Sequence, residues 1–135
     1  MRAGVIAALM AGLALPMARA ERPPERREDA DAVVVGKVKK VATKMEEFGG
    51  DGVATHFTAE VEVAKVDKGE GLKAGQTIRV KWFRVTKTPT KPIAGAFGHV
   101  YKIDKGDEAR FWLMGSPKKG FEVIYNRDGV EKLDR

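Results

Sequence analysis

The chain has no cysteine among its 135 residues, only two histidines, two tryptophans and two tyrosines. Without thiols, disulfide exchange, cysteine nucleophiles and thiolate metal sites are closed to it. His56 and His99 stand 43 positions apart, without a short-range carboxylate or histidine pair to complete a zinc site. Gly49-Gly50-Asp51-Gly52 lacks the lysine and the strand–helix setting of a phosphate-cradling loop. Ser116 precedes Pro117 without a nucleophile-elbow pattern. The carboxylates Glu60 and Glu62 read as an exposed strand face, and Asp104, Asp107 and Glu108 as a solvated turn, so no desolvated acid/base pair is expected. These absences point to a non-enzymatic protein that carries no cofactor and no metal.

Long apolar runs are lacking too. The longest opens the chain: after Met1-Arg2, residues Ala3 to Leu15 carry no charge, and Pro16-Met17 and Ala18-Arg19-Ala20 follow. A basic end, an apolar stretch and a small-x-small site are the three parts of a secretory leader. The apolar stretch is 13 residues long, and a helix crossing a bilayer needs about 20. Cleavage is therefore expected after Ala20, between Ala18-Arg19-Ala20 and Glu21, releasing a secreted or periplasmic protein with no membrane span. Arg2 and Arg19 leave with the leader, so 23 basic and 19 acidic side chains remain and the mature charge is +4. That excess is too mild to demand an acidic partner.

The remaining 115 residues suffice for one domain. Residues 21–31 are charged, contain Pro23-Pro24 and read as a loosely attached lead-in that could form one helical turn. Residues 32–135 read as the folded domain. A first strand, Ala32 to Val41, is apolar on both faces at its start and holds Gly36, a sign of a bulge or bend. Residues 44–54 read as a loop. A second strand, His56 to Val66, puts Phe57, Ala59, Val61 and Val63 on one face. A third, Thr77 to Val85, turns Ile78, Val80 and Trp82 inward. The stretch 86–106 has too many prolines and glycines for a helix and is a long excursion, of the kind that often carries function. Strands over 109–114 and 121–126 follow, then a short strand or helical turn at 130–133. The expected fold is all-β, a five-stranded OB-like barrel, closed or partly open, with the irregular loop between strands 3 and 4.

Four segments sharpen that expectation: Ala30-Asp31-Ala32-Val33-Val34-Val35-Gly36-Lys37-Val38, Val63-Ala64-Lys65-Val66-Asp67-Lys68-Gly69, Lys73 to Val80, and Lys105 to Leu113. Their order over residues 30–133 resembles secreted bacterial domains with the netrin-like OB fold of the tissue inhibitors of metalloproteinases. The resemblance implies a scaffold. Inhibition in that family depends on an N-terminal cysteine that chelates the protease zinc, and the expected mature start here is Glu21-Arg22-Pro23-Pro24.

One surface combines cations and aromatics: Arg79, Lys81 and Phe83 on the third strand with Arg110, Trp112 and Met114 on the fourth. Such a face on an OB barrel holds extended ligands by stacking and charge. The plainer alternative is that Trp112 and Phe83 lie covered beneath the 86–106 loop. The leading expectation is an exported, monomeric binding module that contacts a protein or an envelope polymer; export argues against nucleic acid as its natural ligand. Two other readings are a small hydrolase or inhibitor acting through His99, Tyr101 and Asp104, and a polyanion-binding barrel using Arg79, Lys81 and Trp112.

Overall fold

A computed structural model describes residues 23–90, 98–99 and 101–133. The leader and its cleavage site fall outside the described residues, as do residues 91–97 of the long excursion. Six strands form one sheet: β1 (Ala32–Phe48), β2 (Gly52–Lys68), β3 (Thr77–Lys87), β4 (Glu108–Ser116), β5 (Gly120–Val123) and β6 (Val130–Lys132). Their order is β1-β2-β3-β5-β4-β6, and β1 also pairs with β4. That extra pairing closes β1, β2, β3, β5 and β4 into a ring, the small barrel expected. Every neighbouring pair is antiparallel except β3–β5, which is parallel over two residue pairs, Val80 with Phe121 and Lys81 with Glu122.

The alternation of the strands fills the ring. Val34, Val38, Val61, Val80, Phe111 and Leu113 are fully buried in one core. Complete burial of each such side chain contributes about 1.5–3 kcal/mol. Trp82 stacks flat on Phe57 with ring centroids 5.2 Å apart. Its indole N–H has no hydrogen-bond partner among the described residues, so contact area holds it there. The both-faced apolar start of β1 has a plain cause. Val34 faces the barrel interior, while Val33 belongs to a second cluster on the outside with Ala30 and Ile124.

The expected loop at 44–54 is a correction. β1 runs on to Phe48 and β2 begins at Gly52, so only residues 49–51 turn. Gly49 and Gly50 take positive φ, 59° and 90°, which makes so tight a reversal possible. Sequence patterning missed the strands because this stretch projects as an arm whose side chains are mostly exposed on both faces. Backbone pairing to β2, and of β2 to β3, supplies the order that apolar alternation does not. The arm's tip is tied to the chain after β3, because Thr90 donates from its backbone N–H to Asp51 at 2.7 Å.

Gly36 lies where β1 is paired on both edges, to Val63 on β2 and Ala109 on β4, at a register shift. A Cβ there would lie 2.5 Å from Val61 Cγ1 and 2.7 Å from the Glu62 carbonyl oxygen. Gly36→Ala should therefore destabilise the fold by about 1–3 kcal/mol, the range for overpacking a full core. A lower urea midpoint with an unchanged slope would register it.

Candidate functional site

The barrel separates the two halves of the expected aromatic and basic face. β5 lies between β3 and β4, so Arg79, Lys81 and Phe83 do not adjoin Arg110, Trp112 and Met114 as one patch. On β4, Arg110 donates from Nε to Asp67 Oδ2 at 3.0 Å and lies 3.8 Å from Glu131. Trp112 lies beneath the Arg27 guanidinium, 3.7 Å from its ring centroid, and with Met114 packs against the Ala30–Val33–Ile124 cluster. On β3, Phe83 is half-buried, edge-on to His99 at 5.3 Å and stacked with Tyr125 at 6.1 Å. Covering is thus the fate of both aromatics, but by different segments. Phe83 meets His99 of the excursion, and Trp112 meets the lead-in.

The lead-in is held more firmly than its charge suggests. A 3-10 turn spans Arg27–Asp29. Glu25 and Tyr125 exchange hydrogen bonds, backbone N–H to carbonyl at 3.0 Å and backbone N–H to carboxylate at 2.7 Å. The Arg27 Nε donates to the Asp128 carbonyl at 2.7 Å, and Gly115 donates to the Asp31 carboxylate at 2.8 Å. A charged segment can stay ordered when its charges bond to a neighbouring backbone in this way.

The excursion returns along β3. Gly98 bridges to Arg84, and the His99 backbone N–H donates to the Phe83 carbonyl at 2.7 Å. The His99 ring is buried; its Nε2 lies 3.0 Å from the Val123 carbonyl and its Nδ1 lies 3.2 Å from the Phe83 N–H. Nδ1 also lies 3.2 Å from the Phe83 carbonyl, so both ring nitrogens meet backbone groups, and Nε2 donates to the Val123 carbonyl. Tyr101 is buried beside it, and its hydroxyl accepts from the Gly129 N–H at 3.0 Å. Asp104 is exposed, and its N–H donates to Asp107 at 2.8 Å. That bond, with Lys132 3.3 Å away, holds the Asp107 carboxyl below its ordinary range. His99 and Tyr101 are thus buried with backbone partners, and Asp104 stands in an exposed turn. His56 stands on the exposed arm, 3.5 Å from Glu46. Among the described residues no three histidines or carboxylates gather as a metal site.

Arg79 and Lys81 remain exposed, and they find other company. Lys118 and Lys119, from the turn between β4 and β5, face them across a cleft of about 390 Å³ that also includes Gln76, Thr77 and Gly120. The cleft follows from topology. The paired residues of β3 and β5 begin at Val80 and Phe121, so among the described residues no strand covers the β5-facing edge of β3 before them, at Thr77 and Ile78. No carboxylate lines the cleft, and no ion pair engages these four cations among the described residues. Glu60 and Glu122 are the cross-strand neighbours of Arg79 and Lys81 in the register. Lys118 and Lys119 escaped the sequence reading because Gly115-Ser116-Pro117 reads only as a break. The available signal was a lysine pair in the turn that immediately precedes a strand.

Compared with known proteins, the chain matches no family, no curated protein and no solved structure. No helix among the described residues is long and apolar enough to cross a membrane.

Burial pushes the Tyr101 phenol from its ordinary 10.0 up to about 12. The unfolded chain loses that proton first, so the stability linked to it is full below pH 10 and is lost as pH rises through about 12. Tyr101→Phe should flatten this alkaline decline in urea midpoints, while lowering stability at neutral pH through the lost Gly129 bond. Separately, Arg27→Ala should cost about 1–2 kcal/mol. It should also raise acrylamide quenching of tryptophan emission, since of the two tryptophans Trp82 is core and only Trp112 becomes uncovered.

Proposed function

We propose that the chain is an exported, non-enzymatic binding module of netrin-like OB architecture, whose cleft between β3 and the β4–β5 turn takes an anionic stretch of an envelope polymer or protein. The observation that carries this reading is the convergence of Arg79, Lys81, Lys118 and Lys119 on one cleft without a carboxylate among its lining residues. Like charges so gathered repel one another, and an anion lowers that cost while releasing its own counterions. The β5-facing backbone at Thr77, uncovered among the described residues, offers hydrogen bonds beside the cations. The ring of five strands supports a small all-β barrel, and the netrin-like assignment rests on the sequence resemblance over residues 30–133. Glu21 at the expected mature start keeps zinc chelation by an N-terminal cysteine out of the proposal. The leader-like pattern of residues 1–20, with cleavage after Ala20, supports a periplasmic or extracellular module.

Binding of a polyphosphate chain, followed by fluorescence anisotropy at several salt concentrations, tests the ligand class. Four contacts should give a slope of about −3 in log affinity against log salt. Lys118→Glu with Lys119→Glu changes only an exposed turn, so the fold should survive while binding falls by tenfold or more, roughly the loss of two charge contacts. Binding that ignores salt, or that the double variant keeps, removes the cleft from the function.

A further inference from the structure

The arm carries a second surface, independent of the basic cleft. β1 is paired to β4 only from Ala32 to Lys37, and Val38 still exchanges backbone bonds with Gly106 and Asp107. Beyond Val38, and past the bulge at Lys39, the outer edge of β1 has no partner among the described residues for the nine residues from Lys40 to Phe48. An open edge of this length is a template for another strand. On this same edge stands Met45, the one large hydrophobic that is exposed among the described residues, at 74%.

We infer that this edge pairs with the same edge of a second copy of the chain, antiparallel about a two-fold axis at Thr43. The argument is charge complementarity. An axis normal to the sheet keeps every side chain on its own face, so the axis must pass at a residue and not between two. Centred on Thr43, Lys40 faces Glu46 of the second copy and Val41 faces Met45, twice over by symmetry. Lys39 at the bulge then lies beside Glu47. The neighbouring registers fail. Centring on Ala42 sets Lys40 against Lys44, and centring on Lys44 sets that lysine against itself. Centring on Met45 opposes Lys44 to Glu46, but it leaves Lys39 and Lys40 without acids and Val41 without an apolar neighbour. Basic residues at the start of the segment and acidic ones at its end make it complementary to its own reversal. The lysines that shield the edge from other strands therefore favour this one. Glu46 is already held on the outer face by His56 at 3.5 Å, which orders it for the incoming lysine.

The association adds two strands across one seam without a large apolar area, so it is a weak dimer that forms with concentration. Sedimentation equilibrium of the purified chain should show that concentration dependence. Lys40→Glu should weaken association about tenfold, and Lys40→Glu with Glu46→Lys should restore it, because the swap keeps the pairing and reverses its sign. In this chain without cysteine, Thr43→Cys places one thiol opposite its own copy, and air oxidation should yield a disulfide-linked dimer. Circular dichroism of each variant confirms that the sheet is intact. A monomer at every attainable concentration would overturn the inference. So would a dimer that is indifferent to Lys40→Glu, or one in which Met45→Cys and not Thr43→Cys cross-links.

Discussion

The structure depends on β1 being hydrogen-bonded along both edges at once. From Val33 to Lys37 this strand serves β2 on one side and β4 on the other, and that double pairing turns a sheet into a ring. A ring has few edges to lose, which matters in a chain with no disulfide to limit its unfolded state. The requirement that follows is steric. A strand curved enough to hold two neighbours brings its backbone against theirs, and at Gly36 no side chain fits. The parallel β3–β5 seam is the weaker closure, with two residue pairs. The basic cleft opens where that seam stops short.

What the sequence revealed of the fold were the parts that touch the core. The alternation of Val61 and Val63, of Ile78, Val80 and Trp82, and of Phe111 and Leu113 stated which side chains point inward, and Gly36 marked the bend. The arm was illegible for a physical reason. Residues 44–48 are strand because they pair, and pairing partners are not written in the hydropathy of one strand. The lead-in was illegible in another way. A charged segment looks loose, yet the lead-in is fixed by Arg27 on Trp112, 85 positions away, and by Glu25 on Tyr125, 100 positions away. Of the candidate site, Arg79 and Lys81 were found, while their true neighbours Lys118 and Lys119 become neighbours only once β5 is threaded beside β3.

These covering contacts decide where a ligand can act. A small β barrel offers its outer face to whatever is not already bound, and here the chain binds much of it itself. The lead-in takes the Trp112 side; the returning excursion takes Phe83 with His99. Aromatic stacking, which would favour single strands of nucleic acid or sugars, is thereby used internally. What remains open on this part of the face is mainly charge, and charge without stacking reads anion density more than sequence or ring shape.

The cleft and the arm lie toward opposite ends of β3. The cleft gathers at Gln76–Lys81, and the arm extends with β3 beyond Trp82. Two copies joined through their arms would leave both clefts uncovered, each on its own protomer and away from the shared seam. A single cleft of four cations holds an anionic segment weakly, and its hold fades with salt. Two clefts on one particle convert a repetitive polymer into a divalent target, and the second contact then forms at the effective concentration set by the first. A weak dimer suffices for this, because a polymer that engages both clefts also favours the paired state over the separated one. Self-pairing of the arm and anion binding in the cleft rest on separate residues, yet on a polymeric ligand each would strengthen the other.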